Sequence, residues 1–425
     1  MLAKLSSIRR GTSTNAIVNY FYNVFAIAVF ILSVVFIKTA QDKEIEEEQN
    51  RKNVDEKNVG DHQINTGLDD LLNREVITTD DESLRKLLDS SCINLSNNED
   101  KEKYAQILPA EIIKKILTEC REKRRYFKTN LLHDLEGMID ALFDDLTPFI
   151  FDSNINRISN FIDTRKAEET DKSSETYKLL SMIDIIVSNM KQYERELKLS
   201  EASHLHAFKN VLRPLLDDSR IILKDGETVL VSTQRMQIIN GVDITYGRRI
   251  DILVVCDLET DNGIEMCSIE FKKSNVTEAT LQQQQNKNLR INACILNNIH
   301  LFTENTDHQL IYFDFAGKST YMIQLYRYEN CIVGHKIGNF SLISSLVELE
   351  QLRKSVKNLY AWREFVVNLG NTLALSRVNQ SYKYNMIEVS DYASTTPVRS
   401  PKRKVDPINV FFTPSNQSKR TKVYY

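Results

Sequence analysis

The chain is poor in the residues that interrupt regular structure. Seven prolines and twelve glycines in 425 residues are too few for a turn-rich all-β fold and favour long helices. Six cysteines occur, at Cys92, Cys120, Cys256, Cys267, Cys294 and Cys331, and no two are spaced as a zinc-ligand pair. They fall mostly within apolar runs and read as small buried hydrophobes, suited to a reducing compartment. Net positive charge is also missing. The formal value is −3, so any surface for nucleic acid must be local. There is no Gly-rich phosphate loop, no Ser-His-Asp order and no dinucleotide fingerprint, so neither ATP nor a nicotinamide cofactor is expected.

What is present is enough apolar sequence, 42% of residues, for a sizeable core in one large or two ordinary domains. Residues 1–38 contain an uncharged stretch, Ala16 to Ile37, whose second half is almost wholly apolar. As a helix it would span roughly 33 Å, enough for a bilayer core. Lys4, Arg9 and Arg10 precede it and Glu44 to Glu48 follow, which would hold the N-terminus on the cytoplasmic side. A cleaved signal peptide and a buried helix are the alternatives; Lys38-Thr39-Ala40 makes a poor cleavage site.

Residues 39–103 are rich in Asp, Glu, Asn and Lys and read as an acidic flexible linker. Residues 104–195 show helical periodicity. Pro109 opens a helix with Ile112, Ile113, Ile116 and Leu117 on one face. The basic cluster Arg121 to Lys128 within it is either a solvated helix face or a phosphate contact. From 196 to 347 the pattern becomes a helix, three strand-like runs (Thr228 to Thr233, Arg249 to Val255, Glu265 to Lys272), a helix from about Val276 to Leu296, and strands Leu310 to Phe315 and Tyr321 to Tyr328. An amphipathic helix is expected to close the domain, with residues 348–380 as a C-terminal helical segment. Residues 381–425 read as a disordered basic tail. From Asp391 onward it holds seven basic residues against two acidic ones. Within it, Pro401 to Val405 looks like a nuclear-import signal, which conflicts with a membrane anchor.

Chemistry concentrates between Gly247 and Lys273. In a strand, side chains alternate between faces. Cys267, Ile269 and Phe271 then share an apolar face, and Ser268, Glu270 and Lys272 share the other. Asp251 interrupts the apolar run Ile250 to Val255, where an unpaired carboxylate is costly. If the two runs pair as a hairpin, Asp251 approaches Glu270. Two close carboxylates stay ionised together only around a cation, and oxygen ligands suit Mg²⁺ or Mn²⁺. The competing arrangement pairs Asp251 with Arg248 or Arg249 and Glu270 with Lys272, with no metal.

Asp251 followed by Glu270-Phe271-Lys272 resembles the PD-(D/E)xK nuclease superfamily, the restriction-endonuclease-like fold. The resemblance covers residues 196–347 and implies an α/β fold with an αβββαβ core. It implies a metal held by Asp251, Glu270 and the Phe271 carbonyl, with Lys272 acting on the water or the developing charge. It also implies a carboxylate on the first core helix, where Glu201 fits. Glu201 lies on the stripe Leu197, Leu205, Phe208 and Leu212 and either points inward or reaches solvent. His204 and His206 beside it read as surface or capping residues. Polar residues are expected from the helix after the Glu-x-Lys strand. Gln283 or Gln284 would position water, and Lys287 or Arg290 would bind phosphate. Glu227 is a further acidic candidate. The reading is a Mg²⁺- or Mn²⁺-dependent nuclease acting on DNA or RNA. The alternatives are an inactive nuclease-fold module that binds nucleic acid or protein, and a membrane-anchored interaction protein.

Overall fold

Caps and apolar spacing define the helices of the computed structural model, which describes residues 82–96, 98–129, 133–150, 155–194, 199–225, 229–241, 250–258, 263–391 and 405–410. In chain order they comprise α1 (Glu82–Leu88), β1 (Cys92–Leu95), α2 (Asn98–Ile107), α3 (Ala110–Thr129), α4 (His133–Leu146), α5 (Ile155–Glu168), α6 (Glu175–Ser188) and α7 (Met190–Tyr193). There follow α8 (Glu201–Leu216), β2 (Ile221–Asp225), α9 (Val231–Ile239), β3 (Ile252–Cys256), β4 (Ile264–Lys272) and α10 (Glu278–Thr303). The last are β5 (Gln309–Ala316), β6 (Ser319–Tyr328), β7 (Cys331–Ser341) and α11 (Leu349–Asp391).

The protein is α/β, with one mixed seven-stranded sheet in the order β1-β7-β6-β5-β4-β3-β2. β4 and β5 run parallel, as do β1 and β7, and every other neighbouring pair is antiparallel. From α8 to β5 the elements follow the expected order of helix, three strands, helix and strand, with α9 inserted between the first two strands.

The helix faces follow from strand parity. Phe271, Phe313, Phe315 and Phe340 project to one face and enclose Phe208 of α8, with ring centroids 4.5–6.2 Å away. Trp362 of α11 joins the same face, edge-on to Phe313 and donating to the Ile311 carbonyl at 3.1 Å. Removing so buried an aromatic ring costs about 3–5 kcal/mol. The opposite face lies under α10, whose first turn is capped by Thr277, its hydroxyl accepting from the Thr280 N–H. There the sheet is polar at its centre. β4 and β5 pair only over Glu270, Phe271 and Lys272. Upstream of that short ladder, Asn292 takes the place of a neighbouring strand: its side chain accepts from the Ser268 N–H at 2.8 Å and donates to the Ser268 carbonyl at 3.1 Å.

Several expectations change. The run Thr228 to Thr233 is not the first core strand. Ile221–Asp225 is, and Val231 begins α9 instead. The reason is tertiary: the Glu265 carboxylate on β4 accepts the Val231 and Ser232 backbone N–H groups, capping the helix from across the chain. Residues 92–95, within the stretch expected to be a flexible linker, form a fully buried edge strand on β7. β7 follows the last of the expected strands. Residues 104–195 are helical as expected, yet their apolar side chains, Phe143 and Ile183 among them, belong to the same core as the sheet.

The tail differs too. α11 continues to Asp391, and Val405, Ile408 and Val410 are buried. Asn297 donates to the Ile408 carbonyl and accepts its N–H, at 2.7 and 3.2 Å. A segment that buries three apolar side chains and matches its backbone to a core asparagine is ordered, not a disordered tail. All six cysteines are buried, and among the described residues none forms a disulfide. Among the described residues no helix is long and apolar enough to cross a membrane. The stretch Ala16 to Ile37 and the basic residues of Pro401 to Val405 lie outside the described residues.

Candidate active site

The site forms where β3, β4 and β5 run side by side. Ile252 pairs with Ile269, so the antiparallel register places Asp251 opposite Glu270 one step on. Glu270 in turn pairs with Asp314 of β5. Residues paired across strands share a face, so a row of three carboxyl groups crosses the sheet on the side covered by α10.

Each carboxyl has a different environment. Asp251 is half-buried, and its Oδ2 accepts the Phe271 backbone N–H at 2.8 Å. Burial pushes its pKa above the usual carboxylate range. The Phe271 hydrogen bond and the charges of Lys272 and Lys287 oppose that rise, and Glu201 adds to it. Glu270 is nearly inaccessible, at 4% exposure. Burial first, and then the charge of Asp251, raises its pKa to about 7 against the pull of Lys287, Gln284 and Lys272. One oxygen of Glu270 accepts from Gln284 Nε2 at 2.5 Å. The other, Oε1, is buried with no hydrogen-bond partner among the described residues. Asp314 is buried completely enough to be held well above its ordinary pKa. Asn288 donates to it at 2.6 Å.

Lys272, the last residue of β4, reaches Glu201 with Nζ 3.3 Å from Oε2. Glu201 is the first residue of α8, whose start is capped by Ser200. Glu201 is half-exposed and meets the site through Lys272.

The structure thus brings together Asp251, Glu270, Lys272, Glu201, Gln284 and Lys287. Two expected members of α10 do not join. Gln283 is exposed, because a helix turns about 100° per residue and carries it away from the sheet. Arg290 is buried, and its charge acts on Cys92 and Cys294 instead. His204 is buried, contrary to a surface placement, and His206 is exposed. Glu227, Arg248 and Arg249 lie outside the described residues. Sequence reasoning missed Asp314 and Asn288. Asp314 carried the same signal as Asp251, a lone acid inside an apolar strand.

The donor set suits a hard divalent cation. Glu270 Oε1, buried and without a partner among the described residues, and the second oxygen of Asp251, just before β3, are carboxylate oxygens on neighbouring chain segments, and the Phe271 carbonyl follows Glu270 in the chain. Among the described residues no three His, Cys, Asp or Glu side chains cluster as a metal-binding group. Two carboxylates are nevertheless what Mg²⁺ commonly takes, keeping several waters. No protein-family model, curated protein or solved structure matches the chain, so the reading of the site rests on its own geometry.

Proposed function

We propose that the chain is a divalent-metal-dependent nuclease of the restriction-endonuclease-like type, hydrolysing phosphodiester bonds of DNA or RNA. The observation that carries this reading is the adjacency of Asp251 and Glu270 across β3 and β4, with a buried Glu270 oxygen that no group among the described residues satisfies. Asp251, Glu270 and the Phe271 carbonyl would hold Mg²⁺ or Mn²⁺. Bound there, the ion supplies Lewis acidity toward a phosphoryl oxygen and lowers the pKa of water.

The chain's own residues do the rest. Gln284 fixes the Glu270 carboxylate in one orientation through its hydrogen bond. The Phe271 N–H fixes Asp251. Lys272 stands two residues beyond Glu270 on the same strand face, where its ammonium orients the attacking water or balances charge developing on the phosphate. Glu201 holds that ammonium in place from the start of α8. Lys287 places a second positive charge near both carboxylates, as its effect on them shows.

A magnesium-titrated cleavage assay tests this on single- and double-stranded DNA and on RNA, with Asp251→Ala and Lys272→Ala beside the native chain. Cleavage that needs the metal and is lost in both variants supports the reading. Absence of cleavage on every substrate, with no metal bound in calorimetry, removes it.

A second reading has one observation in its favour. The Lys272–Glu201 ion pair satisfies the lysine without any substrate, as in a nuclease fold that binds nucleic acid without cutting it. That reading expects nucleic-acid binding without magnesium and no turnover with it.

A further inference from the structure

Helix α3 carries Arg121, Lys123, Arg124, Arg125 and Lys128 toward its end. Its setting shows where that charge is directed. α3 is anchored on β6 by the contact of Cys120 Sγ with the Tyr326 hydroxyl, 3.4 Å, and by Lys123 lying 4.6 Å over the Tyr326 ring. Its last turns form one wall of an open groove of about 680 Å³. The first turns of α11 form another wall, and the ends of β6 and β7 form the floor.

Arg124, Lys128 and Lys354 line this groove. All three are exposed, and none makes an ion pair among the described residues. Lys357 lines it as well, but its charge is met by Glu136 and Asp140 at 3.0 and 2.8 Å. Lys336 of β7 lies beside the groove with its ammonium 4.0 Å over the Tyr321 ring. Burial and the neighbouring charges of Arg124 and Lys101 hold its pKa below the ordinary lysine value. Like charges from α3 and β7 are thus brought together, at an electrostatic cost that an anion between them would relieve.

The groove opens at the same end of the strands as Lys272. Lys272 pairs with Ala316, Ala316 with Ser319, and Ser319 with Ser341 on the groove floor. Three strand spacings separate Lys272 from Ser341, on the order of 14 Å. In a duplex, one strand presents a phosphate about every 3.4 Å of axis, so roughly four phosphates cover that distance.

We infer that this groove binds the phosphodiester backbone of a nucleic-acid strand, with Arg124, Lys128 and Lys354 as phosphate contacts, and leads it across the ends of β7, β6 and β5 toward Lys272. The direction of the path rests on the nuclease reading; the binding does not. Such contacts are indifferent to base sequence and strongly salt-dependent.

The test is fluorescence anisotropy of the full chain with labelled single-stranded and duplex oligonucleotides. It is run in EDTA, so that cleavage cannot intervene, across about 50 to 200 mM salt. The variant R124E/K128E/K354E is expected to lose roughly tenfold or more in affinity, with a salt dependence shallower by about 0.9 for each lost contact. Lys354→Gln alone should reduce the slope by about one contact. Circular dichroism confirms that the variants fold. Native-like binding by the triple variant overturns the inference. Equal competition by polyglutamate also overturns it, since the groove would then take an acidic peptide as readily. Loss of binding in the triple variant, with no cleavage by the native chain in magnesium, upholds the groove and removes the nuclease reading. Native-like binding by the triple variant, with cleavage intact, does the reverse.

Discussion

Asp251 Oδ2 accepts the backbone N–H of Phe271 at 2.8 Å, which ties the start of β3 to the strand carrying Glu270 and Lys272. The bond needs an oxygen acceptor, whereas a cation needs charge, and the two requirements can be separated. Asp251→Asn keeps an acceptor and loses the charge. It is expected to unfold within about 1 kcal/mol of the native chain and to lose most stabilisation by magnesium. Asp251→Ala leaves a buried N–H unpaired and should cost about 1–3 kcal/mol without any metal. Thermal unfolding with and without magnesium checks both. Equal magnesium stabilisation of Asp251→Asn and the native chain would place the cation elsewhere.

Glu270 gives the site a pH dependence of definite sign. Burial, with Asp251 assisting, raises its pKa to about 7, against roughly 4.3 in an unfolded chain. The folded state therefore holds the proton more tightly. The stability that the neutral carboxyl contributes is complete below about pH 4 and is lost as the pH rises through about 7. Glu270→Gln should accordingly be more stable than the native chain near about pH 8 and no more stable near about pH 4. Magnesium should act in the opposite sense, stabilising the native chain more at about pH 8 than at about pH 6, because its ligand must ionise. Unfolding curves across pH decide this. A Glu270→Gln difference of the same size at both ends counts against a raised pKa.

Lys272 and Glu201 are partly exposed, at 23% and 39%, so their ion pair is worth less than about 1 kcal/mol. Glu201→Gln should leave the unfolding midpoint nearly unchanged. Lys272→Ala should lower cleavage by about 10²–10⁴-fold at saturating magnesium while magnesium affinity stays as it is. Single-turnover cleavage beside a metal titration separates the two effects. Full cleavage by Lys272→Ala would confine the lysine to its ion pair.

The segment Val405 to Val410 makes a test independent of the site. Val405, Ile408 and Val410 are buried, and each such side chain contributes about 1.5–3 kcal/mol. A chain ending before Val405 should lose several kcal/mol, read as a lower midpoint in urea. An unchanged midpoint would mean that the segment adds nothing to the fold.

Where one periodicity dominates, the residue pattern is enough to place an element. β4, β5, β6 and α10 fall close to their expected ranges, and the parity that sets Glu270 and Lys272 apart from Phe271 follows from β4 alone. Elsewhere a distant residue decides. Thr228 to Thr233 is β-branched and strand-like, yet α9 starts at Val231 because Glu265, more than thirty residues later, caps it. β1 has four residues, too few for a period, and exists through pairing with β7. β7 is hidden by Gly334 and Gly338. At Gly334 a Cβ would come within 2.6 Å of Leu289 Cδ1 on α10, so close packing demands the glycine that weakens the strand signal. Glu201 was placed near the site by its position on a helix, but its attachment to Lys272 depends on how α8 approaches the end of β4. Val405 to Val410 was masked by its proline-rich, basic surroundings; its match to Asn297 is tertiary.

Electron paramagnetic resonance of bound Mn²⁺ tests most directly whether Asp251 and Glu270 form one cation site. The native chain is expected to bind a single Mn²⁺, displaced by magnesium, with affinity falling steeply below about pH 7 as Glu270 takes up its proton. Asp251→Ala and Glu270→Gln should each remove that signal, and Lys272→Ala should retain it. A native chain that binds no Mn²⁺, or variants that bind it equally well, would contradict the account and leave the two carboxylates as structural charges.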